Sequence, residues 1–234
     1  IPVASGLAGI DSQGLHFDGA AGNVSCGDST ILDGATKMSM EAIVSTSATA
    51  AGLVIGKSHA SECFYVRFDA DGKLRATINN GSGNGTAVSA SAYNDGDPKH
   101  IVITWDAATV SIYVNGNLDG TATLAGGSIP NTSDLLGLGA QLHGNGTSRA
   151  SFFDGIIYRA RLWNKSLSQP EVTASYENAT VPFADQYGSQ TDLVNANSAG
   201  SGTAWTGATG GTPPDGWEKG GTSTFTIDSS SGSG

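Results

Sequence analysis

Between Lys99 and Gly116 the side chains fall into two runs of period two. Ile101, Ile103 and Trp105 fall on one side, His100, Val102 and Thr104 on the other. After Asp106-Ala107-Ala108-Thr109 the alternation resumes, with Val110, Ile112 and Val114 set against Ser111 and Tyr113. Two β-branched and aromatic runs of period two predict an antiparallel hairpin at the centre of a sheet. Its second arm ends on Asn115-Gly116, a pair that tolerates positive φ and predicts a tight primed turn.

The same period recurs along the chain. Leu15-His16-Phe17-Asp18 and Asn23-Val24-Ser25-Cys26 read as short strands. From Lys37 to Ser45, Met38, Met40, Ala42 and Val44 share one face. Leu53 to Lys57 reads as a short buried strand. Phe64 to Phe68 pairs with Lys73 to Ile78 across a turn containing Asp71-Gly72. Asn79 to Thr86 reads as a mobile loop, Ala87 to Tyr93 as a weak strand, Leu135 to Ala140 as a strand and Gln141 to Ala150 as a polar loop. Ile156 to Trp163 is the last long strand. Ser168-Gln169-Pro170-Glu171 then carries the start signals of a helix running to about Asn178.

The pattern divides the chain into a lead-in (1–10), a β-sandwich (11–178) and a Gly/Ser-rich segment (179–234) that lies along the main domain or opens a second β module. Composition agrees: 34 glycines and only 14% charged residues suit short strands joined by turns. No apolar run approaches the roughly 18–20 residues of a membrane span, so no membrane insertion is expected. A net charge of −10 with 11 scattered basic residues excludes a nucleic-acid backbone as partner. The opening Ile1-Pro2-Val3, without a start methionine, reads as that of a fragment or processed product. Cys26 and Cys63 lack metal-type spacing, and free thiols and a disulfide both remain open.

An ordered set of motifs resembles the laminin-G-like, pentraxin-like branch of the concanavalin A-like lectin/glucanase superfamily. Phe17-Asp18-Gly19 looks like its first strand and Met40-Glu41-Ala42-Ile43-Val44 its second. His100 to Asp106 with Tyr113 to Gly116 is similar to its central hairpin. Leu136 to Ala140, Phe153 to Asn164, Leu167-Ser168 and Glu171-Val172 follow in the family's order. The resemblance implies an all-β, two-sheet antiparallel jelly-roll sandwich with one short C-terminal helix. Two places depart from the pattern: Gln169-Pro170-Glu171 replaces an acidic run, and Tyr158 stands where the family usually carries an acidic residue. The tail, with Trp205, Trp217 and Phe225, resembles the start of a second carbohydrate-binding-type jelly roll. Such modules follow one another in phage tail and other virion proteins, which implies a virion-surface or extracellular location with neighbouring domains or subunits as further partners.

The superfamily contains glycosidases. Retaining hydrolysis needs two carboxylates about 5 Å apart, hence acidic residues two positions apart on one strand face. No strand here has that spacing, and Glu41 stands alone on its own, so no enzyme is expected. His100 reads as a structural histidine. The resemblance implies a bound Ca²⁺, for which Asp18 and Asp154 are the candidate ligands, with Asp28, Asp33, Asn131 and Asn145 as unassigned loop donors. Sugar binding needs aromatic faces beside amide and hydroxyl groups. Tyr93, Tyr113, His59, His143 and Asn145, near the loops at 79–86 and 141–149, are the candidate ligand-binding residues, and Tyr65 is a further one. Trp105 and Trp163 read as core. The expected function is a calcium-stabilised module that binds a glycan or cell-surface receptor, the alternatives being a structural decoration domain and a glycoside hydrolase relative.

Overall fold

The computed structural model describes residues 14–58, 63–143, 148–177, 190–194 and 218–219. Two large antiparallel sheets face each other across the core. The first is ordered β1 (Leu15–Asp18), β14 (Asp154–Trp163), β3 (Met38–Ser45), β8 (Lys99–Trp105), β9 (Thr109–Val114), β10 (Asn117–Thr123), with β15 (Gln190–Val194) pairing the later half of β14. The second runs β16 (Glu218–Lys219), β2 (Val24–Ser25), β11 (Leu136–Leu138), β4 (Gly52–Lys57), β5 (Phe64–Phe68), β6 (Lys73–Asn79), β7 (Asn84–Ala92). A separate hairpin joins β12 (Gln141–His143) to β13 (Ser148–Ala150). The all-β jelly-roll sandwich expected from the sequence is the observed fold.

Alternation builds the core. Met38, Met40, Ala42 and Val44 of β3 and Ile101, Ile103 and Trp105 of β8 face Phe64, Val66 and Phe68 of β5 and Leu74, Ala76 and Ile78 of β6 in one continuous cluster. Full burial of each large side chain stabilises the fold by roughly 1.5–3 kcal/mol. The indole N–H of Trp105 donates to the Leu124 carbonyl at 2.9 Å, so the ring is buried with its polar atom satisfied.

The outer face of the first sheet is covered as well. Helix α1 (Gln169–Tyr176) starts at Ser168, whose backbone N–H donates to Glu171 Oε2 at 2.7 Å. It lays Val172 on Val102, Trp163 and Leu167 in a second apolar cluster that Tyr113 borders. Strand β3 is therefore buried on both faces along all 8 residues.

The turns behave as their residues demand. Asn115 (φ 49°) and Gly116 (φ 81°) form the predicted positive-φ turn, leading directly into β10. That strand, Asn-Leu-Asp-Gly-Thr-Ala-Thr, carries no apolar alternation and the pattern missed it. Three further expectations need correction. Strand pairing extends to Asn79↔Asn84, so the expected loop at 79–86 shrinks to a turn, whose Asn80 Oδ1 accepts from the amides of Ser82 and Gly83. The expected polar loop at 141–150 contains β12 and β13. The helix ends at Tyr176 rather than near Asn178.

Candidate functional site

The outer faces of the two sheets differ. On the first it lies under α1. On the second, β5 and β6 direct Tyr65, Arg67, Arg75 and Thr77 away from the core, because their neighbours Phe64, Val66, Leu74, Ala76 and Ile78 point in. Arg67 and Arg75 are cross-strand partners. Asp69, from the turn between the strands, accepts from Arg67 Nε on Oδ1 at 2.9 Å and from Arg75 Nε on Oδ2 at 2.7 Å. The Arg67 guanidinium lies 5.6 Å from the Tyr65 ring centroid. Thr77 and Thr86 join their hydroxyls at 3.0 Å on the same face. Of this group the sequence singles out Tyr65 alone. The arginines looked like ordinary outward strand residues, and only the β5–β6 register shows that they share one carboxylate.

At another edge Asp18 and Asp154 are direct register partners of β1 and β14. Asp18 Oδ1 accepts backbone N–H groups from Ala20 and Ala21 at 2.9 Å and Gly22 at 3.0 Å. Those amides lower its pKa from 3.8 to about 2. Among the described residues no third acidic, histidine or cysteine side chain joins them to make a metal-ligating group. Asp28 and Asp33 have a different use. Both flank the ammonium of Lys57, at 2.7 and 3.4 Å, and Lys57 is only 1% exposed.

The structure separates the remaining candidates. Tyr93 packs on the main core and its hydroxyl meets Asp119, burial and that carboxylate together raising its pKa to about 12. Tyr113 borders the α1 cluster on the opposite sheet. His143 ends β12, opposite Ser148. His59 and Asn145 lie outside the described residues.

The laminin-G-type model of the Concanavalin A-like lectin/glucanases superfamily matches residues 18–173. The chain belongs to this superfamily. Solved structures share the fold at low sequence identity. The heptameric SAP-like pentraxin of Limulus polyphemus is 15% identical, with a TM-score of 0.60 over 78% of this chain and 92% of that one. The Ruminococcus gnavus IT-sialidase CBM40 bound to α2,3 sialyllactose is 16% identical, with a TM-score of 0.55 over 70% of this chain and 97% of that one. Domains LG4-5 of the mouse laminin α1 chain are 22% identical, with a TM-score of 0.51 over 68% of this chain and 43% of that one. A comparison with curated proteins gives no match.

One charged group of this superfamily domain lies beneath α1. Glu41 Oε1 meets Arg159 Nε at 2.8 Å and Arg161 Nη1 at 3.6 Å; its Oε2 lies 3.5 Å from His100 Nε2. Glu41 and His100 are 0% exposed. Burial pushes the Glu41 carboxyl up, but His100, Arg159 and Arg161 outweigh it and hold the group well below the usual carboxylate range. Glu41 stands alone on its strand, as read, yet it is surrounded by cations from others. Tyr158, at the position where the family usually carries an acid, is buried with its hydroxyl 3.3 Å from Ser45 Oγ.

Proposed function

We propose that this domain is a non-catalytic recognition module that binds a glycan or cell-surface receptor on a virion fibre or surface adhesin, and that calcium stabilises it. The observation that carries the reading is the asymmetry of the two outer faces. Part of one is covered by α1, while on the other Arg67 and Arg75 stand partly exposed near the exposed Thr86, above Tyr65 and Thr77, which are themselves buried; partly exposed guanidinium and hydroxyl donors are groups a sugar site uses. The sialyllactose on the R. gnavus module, which has the same fold, supports sugar as the ligand class.

The disposition of carboxylates supports a binding role over hydrolysis. A general acid must keep a raised pKa and reach its substrate. Glu41 is held ionised beneath α1, Asp69 lies between two arginines, and Asp28 and Asp33 flank a lysine. For calcium, Asp18 and Asp154 fit in part. Like charges directly opposite destabilise a strand pair, and a divalent cation between them would reverse that. Asp18 Oδ2 and the Asp154 carboxylate would supply ligands, with carbonyls or water completing the six to eight oxygens calcium takes.

A glycan array with and without chelator tests the reading. Binding of at least one glycan class is expected, and no binding under any condition would sink it. A melting temperature raised by calcium and lowered by EDTA, with the response absent in Asp18→Asn, is expected. An unchanged melting temperature would remove the ion.

A further inference from the structure

We propose that the outer face of β5 and β6 is a carboxylate-binding subsite, built by Arg67 and Arg75, that selects acidic sugars such as sialic acids and uronates. The proposal rests on the reading of the domain as a glycan-binding module and adds the ligand class and its place.

Two arginines directly opposite on adjacent strands repel each other, and one carboxylate offsets only part of that. Asp69 bonds each guanidinium through Nε alone. The terminal nitrogens of both arginines have no partner among the described residues, although each side chain is about a third exposed, at 34% and 33%. A guanidinium fixed at Nε presents its remaining donors as a rigid planar edge, the geometry that matches a carboxylate. Tyr65 beneath Arg67 restrains it further through a cation–π contact. The ordering cost of these long side chains is thus met before a ligand arrives.

The surroundings point the same way. Lys73 continues the outward row of β6, two positions before Arg75. Asp71, at the exposed tip of the turn, accepts the Lys73 backbone N–H at 3.1 Å. On the β4–β11 side the β12–β13 hairpin forms a wall. Gly137 faces outward between the core residues Leu136 and Leu138, and Leu142 lies over it. Arg149, the register partner of Leu142, shares that face of the hairpin, and its Nε is buried with no partner among the described residues. On β5 and β6 themselves the cations Arg67, Arg75 and Lys73 outnumber the carboxylates Asp69 and Asp71 of the turn that joins them.

The rest of the chain sets the selectivity. At a net charge of −10, a polyanion is repelled at long range. A single carboxylate on an otherwise neutral sugar is repelled far less, in proportion to its charge, and meets the local arginines.

The test is a titration of the 234-residue protein, followed by NMR and calorimetry. The probes are 3′-sialyllactose, its methyl ester, lactose, 3′-sulfated lactose and a glucuronate-terminated disaccharide. The acids should bind, perturbing the Arg67 and Arg75 side-chain resonances of the unmodified protein. Lactose and the methyl ester should bind weaker by about tenfold or more, the loss of a charge-assisted hydrogen-bond pair. Arg67→Gln and Arg75→Gln should each weaken acid binding similarly with the melting temperature kept. If ester and acid bind alike, or a sulfated sugar binds better than either acid, the subsite is overturned and glycan recognition stands. Acid binding that leaves the arginine resonances unmoved overturns the place. Failure of every sugar, neutral ones on an array included, overturns both proposals.

Discussion

The hydroxyl of Ser175 donates to Glu41 Oε2 at 2.5 Å, tying the last turn of α1 to the middle of β3. Both side chains are buried. The bond joins the helix to a carboxylate that also holds Arg159 and Arg161 of β14 and neighbours His100 of β8. One acidic residue thus connects three adjacent strands and the helix above them.

Replacing Glu41 with Ala should be costly. Arg159, largely buried, would lose the carboxylate its Nε meets at 2.8 Å and Arg161 one of its contacts, and removing one member of a buried ion pair costs roughly 3–5 kcal/mol. Ser175→Ala removes one hydrogen bond to a charged group and should cost about 1.5–3 kcal/mol. Urea unfolding of both variants checks the order. Equal losses would show that the arginines relax into solvent.

The pH dependence follows from the same carboxylate. The folded pKa of Glu41 is depressed, so its contribution is fully present above its ordinary 4.5 and is lost as pH falls. Asp18 acts in the same sense, from 3.8 down to about 2. The melting temperature should fall as pH drops below the ordinary carboxylate range. In Glu41→Gln it should fall less steeply from a lower starting value. An equally steep fall in that variant would place the acid sensitivity elsewhere.

Lys57 is the second buried charge whose loss should be felt. Its ammonium also donates to the Ser29 carbonyl at 2.9 Å, so all three protons are used and the 28–33 loop is held to β4. Lys57→Met keeps the stem and deletes the charge. Asp28 is 45% exposed and can turn to water, whereas Asp33 is 12% exposed. The cost should be about 1–3 kcal/mol, that of an unsatisfied buried group rather than of a full buried pair. Asp28→Asn should cost less than Asp33→Asn in the same denaturation series.

Period-two patterning revealed β3, β8 and β9 through their inward rows, although α1 and the buried charges beneath it leave β3 and β8 buried on the outer face too, and the Asp-Gly and Asn-Gly turns fixed two hairpins. It missed β10 because that strand is exposed or half-exposed, so nothing in its composition alternates. That Asp18 and Asp154 lie directly opposite depends on the β1–β14 register, which no local pattern encodes. The candidate subsite was largely hidden. Arg67 and Arg75 look unremarkable in sequence, and their meaning depends on a register that pairs them and on a turn that inserts Asp69. Lys57 and Glu41 were hidden likewise, since their partners come from distant segments that only folding brings near.

The cysteines, left open by the sequence, are not joined to each other in a disulfide. Burial pushes Cys26 up to about 12 and raises Cys63 as well, while the Cys63 sulfur lies 3.2 Å from Thr132 Oγ1. Thiolate is the reactive form, so neither should react readily in the native state. Iodoacetamide at pH 8 should leave the folded protein unmodified and label both thiols in urea. Dithiothreitol should not move the melting temperature. A drop on reduction would indicate a disulfide.

Where the two sheets meet along β7 and β10, glycine makes the approach possible. A Cβ at Gly120 would sit 2.3 Å from the Val88 carbonyl oxygen and 3.0 Å from its carbon. Both are backbone atoms and cannot swing aside, so Gly120→Ala must push β7 and β10 apart. Overpacking of this kind costs typically about 1–3 kcal/mol. The same displacement should break the hydrogen bond from the Ala90 N–H to Asp119 Oδ2, now 2.9 Å, and raise hydrogen exchange at that amide. Gly83→Ala is the control, because a Cβ there meets nothing within 4 Å and needs no positive φ. If Gly120→Ala is as stable as that control and Ala90 stays protected, the seam between the sheets is looser than the close approach of Gly120 and Val88 requires.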